Sequence, residues 1–232
     1  MNKRSMIIII HFNTWLADPE KKLPWTKEWI DYRIDVFMKY TNRSFQAQSN
    51  QHYLALIMYA DSTEAFVQEA LARHPQLPDH VRFIPYSAHR DAIYNYIKGS
   101  EEFYLTTIGS DDMYHRTMVQ QLFDFHPKPD TEVIINQLGY CYDAVHHRLA
   151  VWRHQSPPFH TLVYKTNDFL KGKRYKVVGG HPGAIKLKHE VIDQLFNYVV
   201  VIHGENISTT FSGTDVQTDK ADVDRILEQY WG

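Results

Sequence analysis

The sequence predicts an α/β fold built on a doubly wound, mixed sheet, and three observations carry that reading. Met6-Ile7-Ile8-Ile9-Ile10 is a continuous apolar run rich in β-branched residues, as expected of a strand buried on both faces. Strand-like runs then alternate with stretches of helical periodicity as far as Phe125, the order of successive βαβ units. Polar residues follow these strands at their carboxyl ends, the edge where open α/β sheets bind ligands.

Each element has its own justification. The first strand should be central. Thr26 can cap a helix running to about Gln48, because Ile30, Ile34, Phe37, Met38, Thr41 and Phe45 recur at three- and four-residue steps. Tyr53 to Tyr59 is a second strand, and Ala60-Asp61-Ser62-Thr63 can cap a helix from about Glu64 to His74. Val81 to Tyr86 alternates and contains Pro85, which suits an edge strand. A helix near Asp91 to Lys98 leads into the fourth strand, the run Phe103 to Ser110 that carries Asp111-Asp112, and another helix ends near Phe125. After Pro127-Lys128-Pro129 the runs Glu132 to Leu138, Tyr140 to Val145, Arg148 to Arg153 and Thr161 to Lys165 form a mixed or antiparallel addition. Gly179-Gly180-His181-Pro182-Gly183 reads as a flexible loop, Lys186 to Tyr198 as a helix, Val199 to Ile202 as a strand and Val223 to Trp231 as a final helix.

Composition narrows the function. With 25 Lys plus Arg against 27 Asp plus Glu the formal charge is −2, so no overall field draws the chain to nucleic acid or anionic membrane. Nowhere do about 18 apolar residues run together, so no transmembrane segment is expected. The one cysteine, Cys141, excludes an intramolecular disulfide and suits a reducing compartment, and a cytoplasmic location is expected. His146, His147, His154 and His160 fit no standard zinc spacing. There is no His-Glu-x-x-His, Gly-x-Ser-x-Gly or P-loop.

The chemistry concentrates at Asp111-Asp112, where a buried strand breaks into a loop. Two carboxylates there can hold Mg²⁺ or Mn²⁺ together with phosphate oxygens, and so stabilise the charge on a departing diphosphate. Ser110-Asp111-Asp112 also fits an ordinary helix cap with acidic residues in the first turn. Asp61 suits either a ribose hydroxyl or a cap. Arg90 suits a bidentate grip on diphosphate or a solvated helix start. Trp152, Phe159 and Tyr164 suit either a sugar-stacking face or a local core.

Several segments together resemble one group, the bacterial GT-A-type glycosyltransferases, and within it the rhamnosyltransferase-like proteins. His11-Phe12-Asn13 after the first strand is similar to that group's nucleotide loop, and Arg33, Phe37, Ser44, Phe45 and Gln48 sit as in its first long helix. Asp61-Ser62-Thr63 resembles its Asp-x-x-Thr region. Thr107-Ile108-Gly109-Ser110-Asp111-Asp112-Met113 resembles its Asp-Ser-Asp-Asp metal motif, and Val201-Ile202-His203-Gly204-Glu205-Asn206-Ile207-Ser208 its late His-Gly-x-Asn segment. The resemblance runs from about residue 6 to 210, with the motifs in the group's order. It departs at Gly109, where the first aspartate of Asp-Ser-Asp-Asp is expected.

The resemblance implies a GT-A-like nucleotide-diphospho-sugar transferase fold and transfer of a sugar from a UDP- or dTDP-sugar to a saccharide acceptor, assisted by Mn²⁺ or Mg²⁺. Asp111, Asp112 and His203 are the expected metal ligands. Phe12, Asn13, Arg33, Asp61, Arg90, Ser110, Asp111 and Asn206 are the expected donor contacts. An inverting transfer also needs a general base, for which Asp143, His181 and Glu205 are candidates. Residues 1–126 are expected to bind the nucleotide and 127–232 to form an acceptor side packed on them, in one compact domain. A catalytically inactive saccharide-binding protein and a sugar nucleotidyltransferase are the alternatives. The second usually opens with a glycine-rich basic loop that His11-Phe12-Asn13-Thr14 lacks.

Overall fold

Two sheets share one long helix, and the turn that carries Asp111 and Asp112 passes from one sheet to the other. The computed structural model describes residues 4–14, 25–206 and 209–232. The first sheet starts with β1 (Arg4–His11), followed by α1 (Lys27–Lys39), α2 (Thr41–Gln46), β2 (Leu54–Tyr59), α3 (Glu64–Leu71), β3 (Val81–Pro85), α4 (His89–Ile97) and β4 (Glu102–Thr107). β1 lies between β2 and β4, parallel to both, and β3 closes that edge. The β1 register explains the apolar run: Met6, Ile8 and Ile10 face α1 and α3, while Ile7 and Ile9 face α4.

The remaining elements are β5 (Met113–Tyr114), α5 (Met118–Asp124), β6 (Val133–Asn136), β7 (Leu138–Asp143), β8 (Arg148–Arg153), β9 (His160–Lys165), α6 (Thr166–Leu170), β10 (His189–Ile192), β11 (Tyr198–Ile202), β12 (Thr214–Gln217) and α7 (Lys220–Trp231). The first sheet has the order β10-β6-β9-β4-β1-β2-β3, with β9 antiparallel to both its neighbours. The second has the order β12-β8-β7-β11-β5, with β11 parallel to β7. The architecture is therefore a mixed α/β fold with mixed sheets, as expected from the sequence. No helix among the described residues is long and apolar enough to cross a membrane.

α1 serves both sheets. Ile30, Ile34 and Phe37 pack on the first, and Val36 and Tyr40 pack with Val199, Val201, Leu227 and Tyr230 on the second. Thr26 caps it as expected, accepting the Trp29 N–H at 3.3 Å. The expected single helix to Gln48 breaks at Tyr40 (φ −117°, ψ −71°), whose ring turns toward Trp231. Thr41 and Asn42, both poor helix formers, follow the break.

Two expectations after residue 170 are corrected. Lys186 to Tyr198 is not a helix: His189–Ile192 forms β10, parallel to β6. Val191 and Ile192 fit a pleated ladder better than a helix, and β6 offers them an open edge. The glycine-rich segment is ordered by a 3₁₀ helix over His181–Lys186, entered through Gly179 (φ 84°) and Gly180 (φ 75°). A Cβ at Gly183 would lie 2.0 Å from the Val178 carbonyl oxygen, so the room there is filled by the chain's own backbone. Phe159 and Tyr164 are core residues, stacked on Tyr198 and Phe103 respectively.

Candidate functional site

β4 ends at Thr107, and the chain turns through Gly109-Ser110-Asp111-Asp112 before β5 joins the second sheet beside β11. The next helix, α5, starts only at Met118, so Ser110-Asp111-Asp112 does not cap a helix. The Asp112 N–H donates to the Gly109 carbonyl at 3.5 Å, and Asp112 Oδ1 accepts the Val201 N–H at 3.1 Å. Asp112 thus ties the β4 exit to β11 from a buried position, 7 % exposed. Burial, followed by the charge of adjacent Asp111, pushes its carboxyl well above the usual carboxylate range.

Asp111 turns the other way, into a cluster drawn from three distant segments. Arg33 Nη1 donates to Asp111 Oδ2 at 3.0 Å, and Arg33 Nη2 donates to Ser110 Oγ at 2.6 Å. Arg33 Nη1 is also 2.9 Å from His203 Nε2. Tyr32, the residue before Arg33, has its hydroxyl 2.7 Å from His203 Nδ1 and 3.2 Å from the His203 carbonyl oxygen. With Nδ1–H donating to Tyr32, the Tyr32 hydroxyl donates to the His203 carbonyl and Nε2 accepts from Arg33, so that Nε2 and Asp111 Oδ2, 3.2 Å apart, are bridged by Arg33 Nη1. Asn206 closes the cluster. Its Oδ1 accepts the His203 N–H at 2.8 Å, and its Nδ2 donates to the Val201 carbonyl at 2.9 Å and, at 3.5 Å, to Asp111 Oδ2. Burial alone would raise the Asp111 carboxyl, but contact with His203 and the Arg33 charge outweigh it and hold the group below its ordinary value.

A divalent ion fits this arrangement only in part. Asp111 Oδ2 and His203 Nε2 lie 3.2 Å apart. That is close to the separation of about 3 Å between neighbouring ligands of an octahedral ion at about 2.1 Å. The position between them, however, belongs to Arg33 Nη1, and Asp112 faces Val201. Among the described residues no three His, Cys, Asp or Glu side chains are grouped to hold a metal ion. As arranged here, Asp111, Asp112 and His203 do not form the metal site expected of them.

The other residues expected to contact the donor make their contacts outside this cluster. Phe12 is buried edge-on against Trp29 and Phe83, at 5.4 and 5.5 Å between ring centroids. Asn13 is buried too, accepting the Ala60 N–H at 2.7 Å and donating to Thr63 Oγ1 at 3.2 Å, which joins the exits of β1 and β2. Asp61 is exposed and accepts from the Ser87 hydroxyl and, at 3.2 Å, the Ser87 N–H. Arg90 is exposed at the start of α4, where it lines a cavity of about 200 Å³ with His11, Met58, Tyr86 and Arg174.

Asp143 and His181, two of the three base candidates, are engaged elsewhere. Asp143 accepts from the N–H groups of Val145 (3.1 Å) and His146 (3.2 Å), His146 Nδ1 (2.8 Å) and Arg148 Nε (2.8 Å). Burial would raise its carboxyl, but these donors together hold it below its ordinary value. His181 Nδ1 lies 2.7 Å from the Ser156 carbonyl oxygen and the Ser156 hydroxyl donates to the His181 carbonyl, which ties the 3₁₀ helix to the segment before β9. Glu205 is exposed near Tyr32. The structure thus brings together Arg33, Ser110, Asp111, His203 and Asn206, with Asp112 behind them. Sequence reasoning missed Tyr32, whose role depends on a histidine 171 positions away. Its place beside Arg33 on α1 was the only available signal.

No protein-family model matches the chain, and no curated protein matches it. Among solved structures it is similar to S. aureus TarS 1–349 in complex with UDP-GlcNAc, at 13% identity and a TM-score of 0.49, covering 97% of this chain and 70% of that one. It spans 37% of the length of another S. aureus TarS structure. It is also similar to a 4-diphosphocytidyl-2C-methyl-D-erythritol synthase from Anaerococcus prevotii, at 10% identity and a TM-score of 0.37, covering 96% of this chain and 94% of that one.

Proposed function

We propose that the chain is a glycosyltransferase that moves a sugar from a UDP- or dTDP-sugar to a saccharide acceptor. The observation that carries this reading is the convergence of Arg33, Ser110, Asp111, His203 and Asn206 where β4 and β11 end. That edge of an α/β sheet is the usual ligand edge, and the cluster combines a fixed cation with polar groups suited to a diphosphate. Residues 1–126 supply the nucleotide side, with Phe12 and Asn13 shaping its floor and Asp61 at its rim. Residues 127–232 supply His203, Asn206 and the acceptor side.

In the reaction an acceptor hydroxyl oxygen bonds to the anomeric carbon while the bond from that carbon to the diphosphate oxygen breaks. The nucleoside diphosphate leaves with the electron pair. In an inverting transfer the acceptor proton passes to a base. Glu205 suits that role better than Asp143 or His181, because its carboxylate is exposed near Tyr32 and the other two are bound into turns. Arg33 and the polar groups around Asp111 stabilise the charge on the leaving group.

Release of nucleoside diphosphate from a panel of UDP- and dTDP-sugars, measured with mixed saccharide acceptors, tests the reading. Turnover of at least one donor supports it. Release of pyrophosphate from a nucleoside triphosphate and a sugar phosphate would make the chain a nucleotidyltransferase. Saccharide binding with no donor binding would make it an inactive binding module.

A further inference from the structure

Arginine is seldom buried without a partner, and Arg33 is 7 % exposed on the face of α1 between the two sheets. Its guanidinium has five N–H donors. Three are committed, two on Nη1 toward Asp111 and His203 and one on Nη2 toward Ser110. The Nε–H is buried with no hydrogen-bond partner, a donor that an anionic ligand would satisfy. A divalent ion bound by Asp111 Oδ2 and His203 Nε2 would need the place that Nη1 holds, and two cations cannot share it. Moving Arg33 aside would leave a buried guanidinium without its carboxylate. The Asp111–His203 pair therefore already has its cation.

We propose that the Arg33 guanidinium takes the place of a divalent ion at this site, so that the chain binds the diphosphate of its donor without Mn²⁺ or Mg²⁺. The inference rests on the nucleotide-sugar reading above. Arg33 acts here by balancing and positioning charge. It holds Asp111 and His203 in a fixed pair and offers its remaining N–H donors, Nε–H among them, to phosphate oxygens.

The test is calorimetric titration of the full chain with UDP and with dTDP, once in EDTA and once in excess Mn²⁺. Dissociation constants that agree within about threefold between the two buffers are the expected result. Binding that appears only with Mn²⁺, or tightens beyond that margin, overturns the inference and leaves the nucleotide-sugar reading standing. Binding of neither nucleotide in either buffer removes both. A second measurement uses Arg33→Met, which empties the place between Asp111 and His203. Electron paramagnetic resonance should show Mn²⁺ free in the presence of the wild-type chain and bound by the variant, and nucleotide binding by the variant should become Mn²⁺-dependent. A variant that binds UDP or dTDP in EDTA as tightly as wild type contradicts the role given to Arg33. If the variant does not fold, the wild-type comparison decides alone.

Discussion

A Cβ atom placed on Gly109 would lie 2.5 Å from Oδ2 of Asp112 and 2.8 Å from Oδ1 of Asp111. The glycine at the first position of Gly109-Ser110-Asp111-Asp112 is therefore matched to the close approach of the two carboxylates that follow. An aspartate there, as in Asp-Ser-Asp-Asp, would have to displace Asp112 from the Val201 N–H. Gly109→Ala should cost about 1–3 kcal/mol through overpacking, and Gly109→Asp should cost more because it adds a third carboxylate. Denaturant unfolding checks both, and an unchanged midpoint in either variant would refute the packing argument.

Breaking the Arg33–Asp111 pair should be expensive, since the two side chains are 9 % and 17 % exposed. Removal of one partner leaves a buried charge unpaired, so Arg33→Met or Asp111→Leu alone should destabilise the fold by about 3–5 kcal/mol. The double variant should lose much less than the sum of the two. A double-mutant cycle by urea unfolding measures this, and additive losses would show that the pair is not coupled.

Tyr32 should affect turnover more than folding. Its hydroxyl is the partner that sets the His203 tautomer. Tyr32→Phe keeps the ring on α1 and removes that hydroxyl, so donor turnover should fall by about tenfold while the melting temperature changes little. Equal turnover in the variant would remove Tyr32 from the site.

His160 gives the fold an acid-sensitive element away from the cluster. Burial, with a smaller contribution from His181, lowers its pKa from 6.5 to about 4, and it is 7 % exposed on β9. A base whose folded-state pKa is depressed contributes its full stability above pH 6.5 and loses it as the pH falls through 4. That loss amounts to about 3 kcal/mol over the window. Urea midpoints at pH 7 and pH 4.5 should therefore differ more for wild type than for His160→Asn. Equal pH sensitivity of the two proteins would contradict the assignment.

Local pattern made most of the first sheet legible. The apolar run of β1, the Thr26 cap and the edge position of β3 each follow from a few adjacent residues. Three features set by distant partners are not legible. β10 exists because β6 offers an edge, β5 because β11 pairs with it, and the break at Tyr40 because the second sheet takes that ring. The site divides in the same way. Arg33, Ser110, Asp111, His203 and Asn206 were all singled out from the sequence, and the structure brings them together. Their arrangement, with Asp112 turned inward and Arg33 between Asp111 and His203, depends on side-chain directions that no spacing encodes.

The most direct test of the central claim is a crystal structure of the chain grown with saturating UDP or dTDP. The account predicts diphosphate density within hydrogen-bonding distance of the Arg33–Ser110 side of the cluster, at the carboxyl ends of β4 and β11. Nucleotide bound elsewhere, for example in the cavity lined by His11 and Arg90, or an empty cluster at saturating ligand, would contradict it.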